Sequence, residues 1–178
     1  MLGLAHEIVP VNWFKDEHRS AAYRVINPRA QLPALEDAGT VIWDSQAVLV
    51  YLARRYGGET WLPVDPVGMA RVVQWLMVAN EEIRALAWAR VAVRLGRDRE
   101  QLPQLQETGL RGLAVLEERL GTQDWVALDH VSIADLACFP YVALSREGEI
   151  DLDRFTSVCR WIGRVKALSG YVDMPGIT

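Results

Sequence analysis

The sequence changes character near residue 60, and this change limits the possible folds more than any other feature. Before it, short apolar stretches alternate with turn residues, whereas after it apolar residues recur with the 3.6-residue period of helices. Residues 59–66, with sequence ETWLPVDP, form a polar, proline-containing connector that marks the predicted domain boundary. We therefore expect an α+β domain over residues 1–58 and an all-helical domain over residues 67–178.

Apolar patterns and turn residues divide each part into predicted elements. The first part contains β-branched stretches that favour strands and two segments that favour helices. The second part contains only helical patterns, the first of which is either one long helix or a kinked one. The predicted strands are 6–11, 32–37 and 40–43, and the predicted helices are 16–26, 45–58, 67–95, 104–120, 132–147 and 154–168. Ala38-Gly39 is the expected tight turn of a hairpin.

A local polar pair specifies the start of the helix over residues 132–147. The Ser132 hydroxyl can accept a hydrogen bond from the backbone N–H of Asp135, and the Asp135 carboxylate can accept one from the N–H of Ser132. This capping box predicts a helix start and indicates folding rather than chemistry.

Composition and charge argue against several functional classes. The net charge is −4 and the isoelectric point is about 5.4, and no Lys/Arg cluster suggests a nucleic-acid-binding face. Cys138 and Cys159 lie in apolar helical patterns and are expected to be buried free thiols. The three histidines are far apart in sequence, so a metal site has no support. The N-terminus lacks a signal-peptide pattern and no apolar run approaches the ~18 residues of a membrane span, which favours a cytoplasmic protein that does not enter membranes.

The Leu32-Pro33 pair stands at the beginning of a predicted strand. Proline cannot donate a hydrogen bond to a sheet, so the backbone N–H and C=O of Leu32 could remain free to pair with an extended peptide. A cis bond before Pro33 would suit that geometry. The alternative is a proline that merely protects an edge strand.

The Asp44-Ser45 pair stands where the second strand of the hairpin meets a helix. A helix start offers unpaired N–H groups and a partial positive charge, which suit a carboxylate, and Asp44 could accept from an amine. The alternative is that Asp44 or Ser45 serves only as a helix cap. Taken together with Leu32-Pro33, the pair describes a site for a small peptide with a free glutamyl-type group, namely glutathione.

The same stretches resemble a known family. NPRAQLPAL followed by GTVIWDSQAVLVYLARRYG is similar to the second half of the thioredoxin-like domain of bacterial cytosolic glutathione S-transferases. VSIADLACFPYV is similar to the capping-box helix of their all-helical C-terminal domain. The resemblance extends over nearly the whole chain and implies an incomplete thioredoxin-like domain followed by that helical domain.

The resemblance implies a role for each matching position. Pro33 matches the cis-proline of the family, and Leu32 matches the residue whose backbone pairs with the cysteinyl part of glutathione. Gln31 matches a position near the glycyl end. Asp44 and Ser45 match the acidic-Ser pair that holds the γ-glutamyl group. The long helix from Val67 resembles the helix that walls the electrophile pocket and contributes to a homodimer interface, and its expected pocket residues are Met77, Asn80, Arg84 and Trp88.

The resemblance also implies that one part of the family pattern has no counterpart here. The first strand and most of the first helix of the family should precede MLGLAHEIVPV. In the family that segment carries the Ser, Tyr or Cys that activates the glutathione thiol, and no residue of this chain matches it, so we name no catalytic residue. The expected function is binding of glutathione and, if thiol activation is supplied, its conjugation to small hydrophobic electrophiles. A glutathione-dependent reductase or isomerase and a non-catalytic glutathione-binding or structural dimer module remain the alternatives.

Overall fold

The computed structural model describes residues 1–177 and consists of an α+β part followed by a larger helical part. The elements are α1 (Ala21–Ile26), β1 (Ala34–Asp37), β2 (Thr40–Trp43), α2 (Ser45–Leu52), α3 (Pro66–Val78), α4 (Arg84–Leu95), α5 (Leu102–Thr122), α6 (Ile133–Ala143) and α7 (Thr156–Lys166). Single π-helical turns follow α2 at Ala53–Gly57 and join α3 to α4 at Ala79–Ile83. None of the helices described is long and apolar enough to cross a membrane.

The first twelve residues contain no strand, so the strand predicted over residues 6–11 is wrong. Ile8 and Val9 are 79% and 73% exposed. An alternating apolar stretch becomes a strand only when a neighbouring strand supplies hydrogen bonds and a face to pack against. Within residues 1–177 the sheet contains only β1 and β2, and neither pairs with this stretch.

The helix predicted over residues 16–26 is only partly correct, because α1 begins at Ala21. Asp16 has a left-handed backbone with φ 54°, and a short 3-10 turn covers Glu17–Arg19. Ser20 then caps α1 by accepting a hydrogen bond from the N–H of Tyr23 at 3.2 Å. A serine in the cap position satisfies a first-turn N–H that would otherwise be unpaired, which fixes the start of the helix here.

The predicted hairpin is confirmed as β1 and β2, paired antiparallel from Ala34 opposite Trp43 to Asp37 opposite Thr40. The turn residues Ala38 and Gly39 have φ 48° and 80°. Two consecutive positive φ angles define the tight turn whose twist matches that of paired strands. The hairpin leads through Asp44 directly into α2.

The helices of the second part lie close to the predicted segments. The predicted 67–95 helix is the kinked alternative, since the π-helical turn at Ala79–Ile83 divides it into α3 and α4. The helix predicted over 132–147 ends as an α-helix at Ala143 and is followed by a 3-10 turn. The capping box of Ser132 and Asp135 is present at its start.

The main core lies in the helical part and is continuous with α2. Its largest fully buried side chains come from α3 through α7: Val72, Ile83, Leu86, Leu113, Leu116, Val142, Val158, Trp161 and Val165. Leu49 and Val50 of α2 pack against this cluster, and Ala53 belongs to it. The guanidinium of Arg54 donates to the carbonyls of Leu62 and Pro63, and the N–H of Ile133 donates to the carbonyl of Trp61. These bonds fix the connector between α2 and the helical part.

The two cysteines differ in their surroundings. Cys138 is buried and Cys159 is half-buried, and both are free thiols, so the expectation of burial is correct only for Cys138. Cys159 lines a shallow surface cavity beside Arg146, which explains its partial exposure. Burial raises the pKa of both thiols, so both stay protonated near neutral pH.

Candidate functional site

The junction of β2 and α2 is held in an uncommon backbone conformation. Asp44 has φ 81° and ψ 129°, which a residue other than glycine rarely adopts. Its Oδ1 accepts a hydrogen bond from the N–H of Gln46 at 2.9 Å, and its Oδ2 lies 3.3 Å from Nη1 of Arg29. Asp44 is therefore the helix cap, as one alternative predicted, and it places Ser45 in the first turn of α2.

Two buried side chains hold the loop before β1 in place through hydrogen bonds. The hydroxyl of Tyr23 and the side-chain amide of Asn27 both donate to the carbonyl of Gln31, at 3.0 and 2.6 Å. The side-chain oxygen of Asn27 accepts from the N–H of Arg29 at 3.0 Å, and Asn27 is only 1% exposed. Burial raises the pKa of Tyr23, which keeps its hydroxyl a donor. The next residue, Leu32, is left 44% exposed and precedes a cis bond to Pro33.

These two features face one cavity of about 610 Å³ between the α+β part and α4. Six of the nine residues named from the sequence line it: Gln31, Leu32, Asp44, Ser45, Arg84 and Trp88. Pro33, Met77 and Asn80 are outside the lining, although the side-chain oxygen of Asn80 accepts from Nη1 of Arg84 at 3.1 Å. The volume is within the range of small-molecule sites.

The π-helical turn explains why the expected face of the long helix divides. An uninterrupted α-helix would carry Met77, Asn80, Arg84 and Trp88 on one side, as the spacing predicts. A π-helical turn inserts an extra residue and rotates everything before it relative to everything after it. The cavity is therefore lined by the α4 residues Arg84, Ala87, Trp88 and Val91, which keep their helical spacing.

The cavity lining is rich in cationic side chains, although the protein carries a net charge of −4. Its charged members are Arg19, Arg24, Arg29, Arg84, Arg97, Asp44 and Asp98. Five guanidinium groups against two carboxylates give the cavity a positive potential that attracts anions. The sequence does not reveal this concentration, because the arginines come from four separate segments that converge only in the fold.

Three of the side chains that line the cavity stack on one another. The ring of His18 lies parallel to that of Trp13, with centroids 6.0 Å apart, and the guanidinium carbon of Arg97 lies 4.2 Å from the Trp13 ring centroid. His18 is 4% exposed, and its Nδ1 has no hydrogen-bond partner within the described residues. Because buried polar atoms usually have partners, this nitrogen is an exception within the described residues. Sequence reasoning missed His18. The only local signal at this residue is that it stands just before Ser20, the cap of α1.

No cluster of three or more His, Cys, Asp or Glu side chains able to hold a metal ion occurs within residues 1–177. Neither Cys138 nor Cys159 lines the cavity. The chemistry that this cavity can perform is thus recognition of an anionic or zwitterionic molecule by guanidinium groups, a helix start and free backbone.

The whole chain is similar to known proteins. The family model of the glutathione S-transferase N-terminal domain matches residues 1–55, and that of the C-terminal domain matches residues 72–168. The maleylacetoacetate isomerase of Pseudomonas aeruginosa is 32% identical over 165 residues, covering 89% of this chain and 78% of the isomerase. A glutathione S-transferase structure from Pseudomonas fluorescens has a TM-score of 0.90 and 30% identity, covering 98% of this chain and 88% of that one. A glutathione transferase homologue from Drosophila mojavensis, solved with bound glutathione, has a TM-score of 0.81 and 25% identity, covering 96% and 80%.

The matches agree with the architecture described above. They confirm the fold class that the sequence predicts, a thioredoxin-like N-terminal region with a reduced, two-stranded sheet and an all-helical C-terminal domain. Both family models together match well over half of the chain. The chain therefore belongs to the glutathione S-transferase family.

Proposed function

We propose that the cavity binds glutathione and that the chain is a glutathione transferase. The observation that carries this proposal is that Leu32, Asp44 and Ser45 line one cavity. In the proposed complex the backbone of Leu32 pairs with the cysteinyl residue, and the start of α2 with the Ser45 hydroxyl receives the γ-glutamyl carboxylate. Asp44 receives the γ-glutamyl ammonium, since a carboxylate with two oxygens can accept more bonds than those from Gln46 and Arg29.

Charge supports glutathione over a neutral ligand. Glutathione carries two carboxylates and one ammonium group, and the cavity carries five arginines and two aspartates. We assign the glycyl carboxylate to Gln31 and Arg19 of the cavity lining, whose side-chain amide and guanidinium can donate hydrogen bonds to it.

The proposed reaction is attack of the glutathione sulfur on an electrophilic carbon. With a chloronitrobenzene, a C–S bond forms, chloride departs with the electron pair of the C–Cl bond, and the thiol proton passes to solvent. A free thiol has a pKa of about 8.5 and is mostly protonated at neutral pH. The guanidinium groups of the cavity would favour the charged thiolate and so lower that pKa.

Retention on immobilised glutathione and turnover of 1-chloro-2,4-dinitrobenzene test the proposal. The wild-type chain is expected to be retained and eluted by free glutathione, and Ser45→Ala is expected to weaken retention about tenfold through loss of one charge-assisted hydrogen bond. Ser169→Ala, at an exposed position outside the cavity, is the matched control and should behave as wild type. Equal retention of all three proteins, or none of the wild type, would exclude the site. Retention without turnover would favour the non-catalytic glutathione-binding module.

A glutathione-dependent isomerase is the second candidate, favoured by the 32% identity to the maleylacetoacetate isomerase of Pseudomonas aeruginosa. Both candidates need the same glutathione site, so the retention assay does not separate them. Incubation with maleylacetoacetate does: glutathione-dependent isomerisation without glutathione consumption supports the isomerase, whereas conjugation of the dinitrobenzene alone supports the transferase.

We also propose that the chain forms a homodimer, with α3 in the interface. Val73 and Met77, four residues apart on α3, are 41% and 48% exposed, which suits a covered apolar stripe. Light scattering after gel filtration should give about twice the 20.0 kDa chain mass. A monomeric mass would contradict the proposal.

A further inference from the structure

The loop that leads from α1 to the cis bond is organised around one buried side chain, that of Asn27. Its side-chain oxygen accepts from the N–H of Arg29 at 3.0 Å, and its side-chain amide donates to the carbonyl of Gln31 at 2.6 Å. Its backbone carbonyl accepts from the N–H of Ala30 at 2.9 Å, and Ala30 has a left-handed φ of 52°. An asparagine that bonds to the backbone two residues on is typical of a tight turn. The Asn27 side chain therefore joins the beginning of the loop to its end.

Both polar atoms of this side chain are occupied within the protein. Asn27 is 1% exposed, although it belongs to the cavity lining. A side-chain amide that donates and accepts at once is satisfied only where both partners are within reach, which holds it in one orientation. Any influence of Asn27 on a bound molecule therefore passes through the loop that it holds.

The residue after this loop, Leu32, has unpaired backbone groups. Within residues 1–177 no hydrogen bond uses its N–H or its C=O, and the pairing of β1 begins only at Ala34. The carbonyl of Gln31, in contrast, accepts hydrogen bonds from both Tyr23 and Asn27. The cavity is lined by Gln31 and Leu32 together.

The geometry of the peptide bond connects these two observations. The C=O of Gln31 and the N–H of Leu32 belong to the same peptide unit, which is planar and trans. In such a unit the N–H points opposite to the C=O. Since Asn27 and Tyr23 fix the direction of the carbonyl, they also fix the direction of the Leu32 N–H, which points away from both side chains.

We propose that Asn27 is a positioning residue for the cysteinyl part of glutathione, acting through the peptide unit between Gln31 and Leu32. The inference rests on the proposed function, in which the backbone of Leu32 pairs with the cysteinyl residue. It also separates the two ends of the ligand. The start of α2 depends on the local bond of Asp44 to the N–H of Gln46, so the γ-glutamyl group is held independently of Asn27.

Calorimetric titration with two peptides tests the inference. Asn27→Ala removes the bond to the Gln31 carbonyl and should weaken the binding of glutathione about tenfold. γ-Glutamylcysteine lacks the glycyl residue but retains the cysteinyl one, so its affinity should fall by the same factor. A loss for glutathione alone would place the effect at the glycyl end and overturn the inference.

A matched control removes a bond of the same kind elsewhere. The side-chain oxygen of Asp151 accepts from the N–H of Asp153 at 3.0 Å, two residues on, and Asp151 is exposed and outside the cavity lining. Asp151→Ala should bind both peptides as the wild-type chain does. Loss of affinity in this variant equal to that in Asn27→Ala would contradict a specific role of Asn27.

Amide NMR distinguishes positioning from a general loss of structure. In the wild-type chain, saturating glutathione should shift the amide signals of both Leu32 and Ser45. In Asn27→Ala the shift at Ser45 should remain at saturation, whereas the shift at Leu32 should largely disappear. Equal loss at the two positions, or unchanged shifts at both, would overturn the inference.

A milder variant keeps the test decisive if Asn27→Ala does not fold. Tyr23→Phe removes one of the two donors to the Gln31 carbonyl and leaves the ring and Asn27 in place. It should weaken glutathione binding about threefold and reduce the shift at Leu32 more than that at Ser45. Wild-type affinity together with a wild-type shift at Leu32 would contradict the inference.

The wild-type titration keeps this inference separate from the proposed function. If wild type binds glutathione and the variants at Asn27 and Tyr23 bind it equally well, the inference fails and the glutathione site stands. If wild type shows no saturable shift at Leu32 or Ser45, the proposed function fails, and the inference fails with it.

Discussion

Asp44 combines a role in the fold with a place in the lining of the candidate site. Its side chain caps α2, and its left-handed backbone turns the chain from β2 into the helix so that Ser45 faces the cavity. Such a backbone costs on the order of 1–3 kcal/mol and persists where surrounding contacts impose it. The contacts here are the bonds of Asp44 to Gln46 and Arg29. Residues of this kind link local strain to a candidate site.

Asp135 is the residue on which the stability of the helical part depends most clearly. Its carboxylate accepts hydrogen bonds from the backbone N–H groups of Val126 and Ser132, from the Ser132 hydroxyl and from Nε1 of Trp161. Burial raises the pKa of Asp135, and these hydrogen bonds act to lower it. Asp135→Asn should reduce the free energy of unfolding by about 3 kcal/mol, because the amide nitrogen cannot accept and leaves buried donors unpaired.

Chemical denaturation measures the effect of Asp135→Asn. Asp124→Asn is the control, since Asp124 is 77% exposed and pairs with Arg164 only at 3.5 Å. The control should change the free energy of unfolding by less than about 0.5 kcal/mol. Similar losses in the two variants would contradict the role given to Asp135.

Glu147 makes stability depend on pH. Hydrogen bonds from Arg90 and then Arg94 lower the pKa of Glu147 below its usual value of 4.5. Because the folded pKa lies below the unfolded one, its contribution is fully present above about pH 4.5 and is lost as the pH falls through the lowered folded pKa. Glu147→Gln should therefore cost about 1 kcal/mol at pH 7 and progressively less below pH 4.5.

Thermal or urea unfolding of wild type and Glu147→Gln from pH 7 to pH 3 checks this. Glu107→Gln removes the exposed pair of Glu107 with Arg111 and should give no measurable pH-dependent difference. A stability difference for Glu147→Gln that stays constant across this range would be inconsistent with the ion-pair account.

At the scale of elements, the sequence predicts local features well and long-range ones poorly. The hairpin turn at Ala38-Gly39 and the capping box at Ser132 follow from residues a few positions apart, and both are present. The strand expected over residues 6–11 fails because strand formation depends on a partner elsewhere in the chain. The π-helical turn at Ala79–Ile83 has no clear sequence signal, yet it decides which side chains of the long helix line the cavity.

The candidate site likewise contains some residues that local sequence patterns reveal and others that they do not. Asp44, Ser45 and Leu32 are recognisable because each belongs to a short pattern with a known role. His18 and Arg97 are not, because their position in the cavity depends on the approach of the N-terminal segment to the turn after α4. Convergence of distant segments is a property of packing that residue spacing does not encode.

The start of α7 depends on a residue of another helix. The cap position of α7 is Phe155, which has no capping side chain, and the carboxylate of Glu117 on α5 accepts from the N–H groups of Ser157 and Val158, both at 2.9 Å. Burial acts to raise the pKa of Glu117, but the hydrogen bonds outweigh it and leave the pKa lowered. Glu117→Gln should destabilise the protein by about 1 kcal/mol, because it removes one acceptor and the charge at the helix start.

Hydrogen exchange and denaturation both report on this cap. Glu118→Gln is the control, since Glu118 is the next residue along the chain and its side chain is exposed. Glu117→Gln should speed amide exchange in the first turn of α7, whereas Glu118→Gln should not. Unchanged exchange at Ser157 and Val158 in Glu117→Gln would rule out capping across the two helices.

At the scale of the whole molecule, the chain combines a helical part that contains most of the core with an α+β part in which few side chains are buried. Only His18, Tyr23 and Asn27 are buried among the first 43 residues, whereas α3 through α7 contribute most of the core. The α2 helix belongs with the core, because Leu49, Val50 and Ala53 pack into it. The cavity lies where these two parts meet.

This distribution predicts uneven protection of backbone amides. Residues 1–43 should exchange hydrogen faster than α3 through α7, because local opening exposes little apolar surface there. Glutathione should slow exchange over residues 27–47, since a bound ligand stabilises the folded state of these residues against local opening. Mass spectrometry of exchanged peptides measures both effects. Uniform protection along the chain would contradict the described division.

The central claim is that glutathione occupies the cavity between Leu32 and the start of α2, and titration of isotope-labelled protein followed by amide NMR tests it most directly. We expect saturable shifts at Gln31, Leu32, Ser45 and Gln46, with further shifts along the α4 face that holds Arg84 and Trp88, and no shifts around Cys159. Shifts confined to another surface, or no shifts at millimolar glutathione, would contradict the claim.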